Sequence, residues 1–128
     1  MRVLVDTQVF LWWVEGTRVL PARARAALAD PDNECLISLA SAWELAIKAG
    51  LGKLKLSLPV KRFVVENVAA NGFRMLDIGI AHVGRVETLA LHHGDPFDRL
   101  LISQAIVENM TLVSADPEFS KYQVNLLW

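Results

Sequence analysis

Val3-Leu4-Val5-Asp6-Thr7, near the N-terminus, has a counterpart far along the chain in Thr111-Leu112-Val113-Ser114-Ala115-Asp116. Each is a short apolar run, largely β-branched, that stops abruptly at a polar residue. Cys35-Leu36-Ile37-Ser38 is a third of the same kind. Short runs with no polar alternation suit strands buried on both faces, and such strands need helices above and below them. Phe73-Arg74-Met75-Leu76 and Val124-Asn125-Leu126-Leu127 are weaker strand candidates. Helical spacing fills the gaps. The expected helices run over 9–15, 21–29, 40–49 (stopping at Gly50), 59–70 and 96–108, three of them opening on a proline suited to a first turn. Strands alternating with helices predict an α/β fold, a mostly parallel central sheet covered on both sides.

The 128 residues fit one domain, 1–128, with no linker, repeat or low-complexity tract between its mild punctuation at Pro21, Pro31, Pro59, Gly72, Gly94 and Pro96. Apolar residues make up 53% of the chain, which argues for a folded interior rather than disorder. A net charge of −1 is a poor match for a module gripping duplex DNA by a broad basic face, yet permits an enzyme touching a short stretch of RNA. Cys35 is the only cysteine, so neither an internal disulfide nor a Cys-based zinc site is available. Asp6 ends the first apolar run too early for a signal peptide, and no run is long enough to cross a bilayer; a cytoplasmic location is expected.

The acids fall at telling places on this map. Asp6 and Asp116 lie just past strands, while Glu44 and Asp98 lie in the first turns of helices. Ligands of an open parallel sheet bind outside the carboxyl ends of its strands. Each acid also has a local explanation. Asp6, Asp95 and Asp116 suit helix caps, Ser41-Ala42-Trp43-Glu44 reads as a capping box, Glu44 is spaced to pair with Lys48, and Asp98 suits a helix dipole. Collected at one edge, carboxylates would repel one another and raise each other's pKa, unless a cation neutralised them. Oxygen ligands without nearby cysteine suit Mg²⁺ or Mn²⁺, and phosphodiester hydrolysis is the usual work of such a cluster.

Four stretches in order resemble the motifs of PIN-domain proteins: Val3 to Thr7, Ser41 to Lys48, His92 to Ile102, and Leu112 to Asp116. The chain looks most similar to the VapC-type toxins of bacterial toxin–antitoxin pairs. The resemblance implies an α/β/α sandwich and Mg²⁺- or Mn²⁺-dependent endoribonuclease activity leaving 5′-phosphate and 3′-hydroxyl ends. It makes Asp6, Glu44 and Asp98 catalytic metal ligands, with Asp116 completing the site directly or through water. It also implies a homodimer held inactive by a cognate antitoxin whose tail fills the acidic groove. Gln8 stands where close relatives often carry His or Asn.

Thr7, Ser114, Arg99 and Asp95 are candidates for the layer behind the ligands, with Asp95 read as cap and Asp98 as ligand. Arg99 has two readings, orienting an acid or phosphate and forming a surface ion pair. His92 and His93 read as loop residues, and His82 as isolated. Lys48, Lys53 and Lys55 form the nearest approach to a basic patch. Trp12, Trp13 and Trp43 suit packing at helical spacing better than base stacking. Competing functions are a related nuclease acting on DNA or on structured RNA, and a non-catalytic interaction module in which the acids are only caps. A phosphoacceptor domain lacks its adjacent acid pair and late lysine here.

Overall fold

The computed structural model describes residues 1–128. In chain order the elements are β1 (Arg2–Val5), α1 (Thr7–Glu15), α2 (Ala22–Ala29), β2 (Glu34–Ser38), α3 (Leu39–Gly50), α4 (Val60–Ala70), β3 (Arg74–Leu76), α5 (Ile80–Glu87), α6 (Pro96–Glu108), β4 (Thr111–Val113), a 3₁₀ turn (Pro117–Lys121) and β5 (Asn125–Leu127). The five strands form one sheet in the order β3-β2-β1-β4-β5, every pair parallel. Val3 registers with Cys35 on one side and Thr111 on the other. The three apolar runs are therefore the three central strands.

Successive strand residues point to opposite faces, and the core divides accordingly. Val3, Val5, Cys35, Ile37 and Val113 pack with Phe10, Leu28, Leu45 and Phe63, beneath α1, α2 and α4. Leu4, Leu36 and Leu112 pack with Leu101, Ile102, Met110 and Phe119 on the α6 side. This is a three-layer α/β/α sandwich. Helix α3 crosses the sheet edge, with Ala40 in one core and Leu45 in the other.

Two local expectations change. The residues 80–87 form a helix where the sequence pattern points to no element, because Gly84 and β-branched Val83 and Val86 depress its propensity. It forms against α6, where the Ser103 hydroxyl donates to the His82 carbonyl. Helix α3 starts at Leu39, capped by Ser38 through the Ala40 N–H, so Ser41 lies inside the helix and caps nothing. The helix ends at Gly50, where the glycine was expected to stop it, and Gly52 in the turn beyond is left-handed at φ +72°.

Candidate active site

The chain leaves β1 for β2 and β3 on one side, then returns to place β4 and β5 on the other. The carboxyl ends of β1 and β4 thus flank the point where strand order reverses, the position at which such sheets hold ligands. A cavity of about 500 Å³ opens there, lined by Asp6, Glu44, Asp95, Asp98 and Asp116 with Lys48 and Lys53. All four proposed ligand acids reach it from four elements. Asp6 ends β1 and Glu44 comes from the second turn of α3. Asp98 sits in the first turn of α6, and Asp116 precedes the 3₁₀ turn.

Asp6 holds the N-cap position of α1, but its side chain makes no capping bond. It accepts instead from the Ser114 hydroxyl at 2.9 Å, and Ser114 Oγ in turn accepts the Asp116 N–H at 3.1 Å. Asp95 is the true cap of α6, accepting the Phe97 and Asp98 amides at 2.9 Å each. This leaves the Asp98 carboxylate free to face the cavity. Asp116 accepts the Glu118 N–H. Glu44 is paired with Lys48 Nζ at 2.9 Å, and that bond holds the lysine pKa above its usual value. The Thr7 hydroxyl bonds Ser41 at 2.7 Å, tying α1 to α3.

Burial pushes the Asp6 carboxyl up to about 7; Ser114 opposes the rise, and the nearby charges of Asp98 and Glu44 add to it. Asp98 is pushed up to about 6 by burial, then by Asp95 and Glu44. These are the signs expected of carboxylates gathered without a compensating cation. The donor set is oxygen only, which fits a hard divalent ion. No three of the chain's acids, histidines or cysteine are drawn around a single point closely enough to enclose a cation.

The family model described as "PIN domain" matches residues 3–125. The chain belongs to the PIN-domain family. It is 30% identical over 117 residues to Ribonuclease VapC22 of Mycobacterium tuberculosis, covering 89% of this chain and 86% of that protein. Among solved structures, VapBC2 from Rickettsia felis bound to a promoter DNA fragment superposes with a TM-score of 0.74 at 19% identity, covering 99% of this chain and 98% of that one. DNA-bound VapBC from Salmonella typhimurium gives 0.70 at 17% identity, with 99% and 97% covered. At these identities the two structures speak for the fold alone, and the fold is the one described above.

Within this PIN domain, several side chains lie elsewhere than the sequence suggested. Arg99 meets no carboxylate. Its guanidinium donates to the carbonyls of Ala90, Leu89 and Val86 and to the Tyr122 hydroxyl, pinning the loop before α6. It therefore neither orients an acid directly nor forms an ion pair. His82 is buried rather than isolated, its ring accepting the Gly79 N–H and facing Glu108, whose carboxyl it holds below the usual range. Cys35, by contrast, is the core strand residue that its apolar run suggested, its thiol pushed up by burial. Trp12 stacks near Trp128 under the Arg18 guanidinium, and Trp13 donates to Asn71. Trp43 stays exposed, edge-on to Phe97. His93 is the residue most underread: it lies against Asp98, with Nε2 3.5 Å from the carboxylate. Its signal in the sequence was its place five residues before the acid, but its second partner, Tyr122, comes from beyond β4.

Proposed function

We propose that this chain, 1–128 acting as one nuclease unit, is a divalent-metal-dependent endoribonuclease serving as the toxin of a toxin–antitoxin pair. The observation that carries the reading is the meeting of buried Asp6 and half-buried Asp98 at the strand-order reversal, each carboxyl raised by desolvation and by its acidic neighbours. Membership of the PIN-domain family and the ribonuclease relative support it.

In this reading Asp6, Glu44 and Asp98 hold Mg²⁺ or Mn²⁺, and Asp116 completes the site directly or through water. The bound ion supplies an activated water at neutral pH and charge stabilisation for the leaving oxygen. The chain's own residues do the positioning. Ser114 fixes one oxygen of Asp6 and ties it to the backbone of Asp116. Lys48 neutralises Glu44 and, with Lys53, places positive charge on the cavity wall for a phosphate. The Asp95 cap sets the first turn of α6 and hence the place of Asp98.

An antitoxin partner fits the same cavity, since a basic segment would find five carboxylates there; the structural neighbours are VapBC proteins. A homodimer fits α3, where Leu39, Trp43, Ile47 and Leu51 remain exposed at helical spacing and form an apolar stripe. No helix is long and apolar enough to cross a membrane, and an RNA substrate implies work in the cytoplasm.

The test is cleavage of a panel of labelled RNAs and DNAs by partner-free protein with Mg²⁺, Mn²⁺ or EDTA, beside Asp6→Asn of confirmed folding. RNA cutting that needs the metal and is lost in Asp6→Asn is expected. Cutting of DNA alone would overturn the substrate. Absence of both cutting and calorimetric Mn²⁺ binding would move the reading to an interaction module.

A further inference from the structure

His93 is not assigned a role by the metal-site reading, yet its environment is built. Its side chain is 16% exposed, and Nε2 is buried with no hydrogen-bond partner at bonding distance. The ring is held edge-on between Tyr122 and Phe119, with centroids 5.5 and 6.4 Å away. Nδ1 lies 2.7 Å from the Tyr122 hydroxyl, and Arg99 Nη1 lies 3.3 Å behind that same oxygen. On the other side of the ring, Nε2 lies 3.5 Å from Asp98 Oδ2. That is longer than a good hydrogen bond, but the carboxylate is the one acid paired with Nε2.

Donor and acceptor chemistry gives this row a direction. Arg99 can only donate, so the Tyr122 oxygen accepts from it. An ionised Asp98 can only accept, so a neutral His93 carries its proton on Nε2 and accepts at Nδ1. The Tyr122 hydroxyl proton then points at Nδ1. All the groups agree on one arrangement: Arg99 to Tyr122, Tyr122 to His93, His93 to Asp98. Arg99 is itself fixed by the carbonyls of Val86 at the end of α5 and of Leu89 and Ala90 beyond it, so the row is anchored at its far end.

We propose that His93 is a positioning residue for Asp98, its Nε2–H tautomer required by the carboxylate and matched by the Tyr122–Arg99 pair at Nδ1, so that one carboxylate oxygen is held and the other is presented to the cation. The inference rests on Asp98 being a metal ligand, as proposed above. Arg99 thereby acts on the site at two removes, through Tyr122 and His93, rather than by touching an acid or a phosphate. Interactions behind a metal ligand commonly change metal affinity or activity by about 10- to 100-fold when removed.

Two readouts test it on the full chain. The first is the long-range ¹H–¹⁵N spectrum of the metal-free protein at neutral pH. It should show His93 protonated at Nε2, with the preference weakened in Tyr122→Phe, which removes one oxygen and keeps the ring. The second is Mn²⁺ affinity by calorimetry. His93→Leu should weaken it about tenfold or more, whereas His93→Gln, which retains a donor, should stay closer to wild type. An Nδ1-protonated His93, or Mn²⁺ binding by folded His93→Leu equal to wild type, overturns the proposal. Asp98→Asn separates the two levels. If it binds Mn²⁺ and cleaves like wild type, the site reading itself fails. If it loses both while His93→Leu loses neither, only the positioning role fails.

Discussion

Asp6 is 8% exposed, and burial raises its carboxyl from the ordinary aspartate range to about 7. The folded state therefore favours the protonated form more than the unfolded chain does. That contribution to stability is complete below about pH 4 and is lost as the pH rises through about 7. Asp98, raised to about 6, acts in the same direction over a lower window. One pKa unit corresponds to about 1.4 kcal/mol, so the metal-free protein should lose thermal stability between pH 5 and pH 8. Asp6→Asn should flatten that fall and, at pH 8, match or exceed the wild-type melting temperature while losing cleavage by about 100-fold or more. Scanning calorimetry with and without Mn²⁺ checks both. A wild-type midpoint that rises with pH, or an Asp6→Asn chain that melts well below wild type at pH 8, would count against a site strained by its own charge.

Helix starts do more here than begin helices. At α6, Asp95 accepts two backbone amides and Pro96 fills the first turn, and this fixes where Asp98 emerges. Asp95→Ala should cost about 1 kcal/mol, within the usual range for a lost cap, measured as a shifted urea midpoint at unchanged slope. A loss no larger than that of an exposed surface change would mean that the amides find other partners. At α3, Ser38 caps the helix and also bonds Gln104 of α6, so one hydroxyl joins two elements around the site. Helix α5 is the opposite case, weak locally and held by packing. Gly84 lies inside it at ordinary helical φ, with nothing within 4 Å of where a Cβ would stand. Gly84→Ala should therefore stabilise by about 0.5–1 kcal/mol, raising the urea midpoint. Destabilisation would show that α5 is constrained in some other way.

At the scale of the whole molecule, the five-stranded sheet places its order reversal between β1 and β4, and the four acids come together over it. The face left without a partner is on α3, beside this cavity. Ile47 is 38% exposed on that stripe and is clear of the Trp43–Phe97 contact. Ile47→Glu should convert a dimer to monomer in sedimentation velocity without changing the far-ultraviolet spectrum, since the side chain leaves both cores intact. Wild-type protein that sediments as a monomer at tens of micromolar would remove the α3 face from consideration as a self-interface.

The amino-acid sequence by itself determined the central strands, most of the helices, the three-layer class and the four acids. Those follow from local chemistry: apolar runs that must be covered on both faces, caps and prolines at helix starts, and motif spacing. The start of α3 at Leu39 was decided by which hydroxyl the packed backbone used as its cap. Helix α5 was decided by tertiary contact, because its residues alone do not favour a helix. So were the roles of Arg99 and His93. Arg99 reads as a surface cation until the loop carbonyls of 86–90 are folded around it. His93 reads as a loop residue until Tyr122, 29 positions away, is brought to its ring. Hydrogen bonds between side chains distant in sequence leave no periodicity behind, so only the folded chain could reveal them.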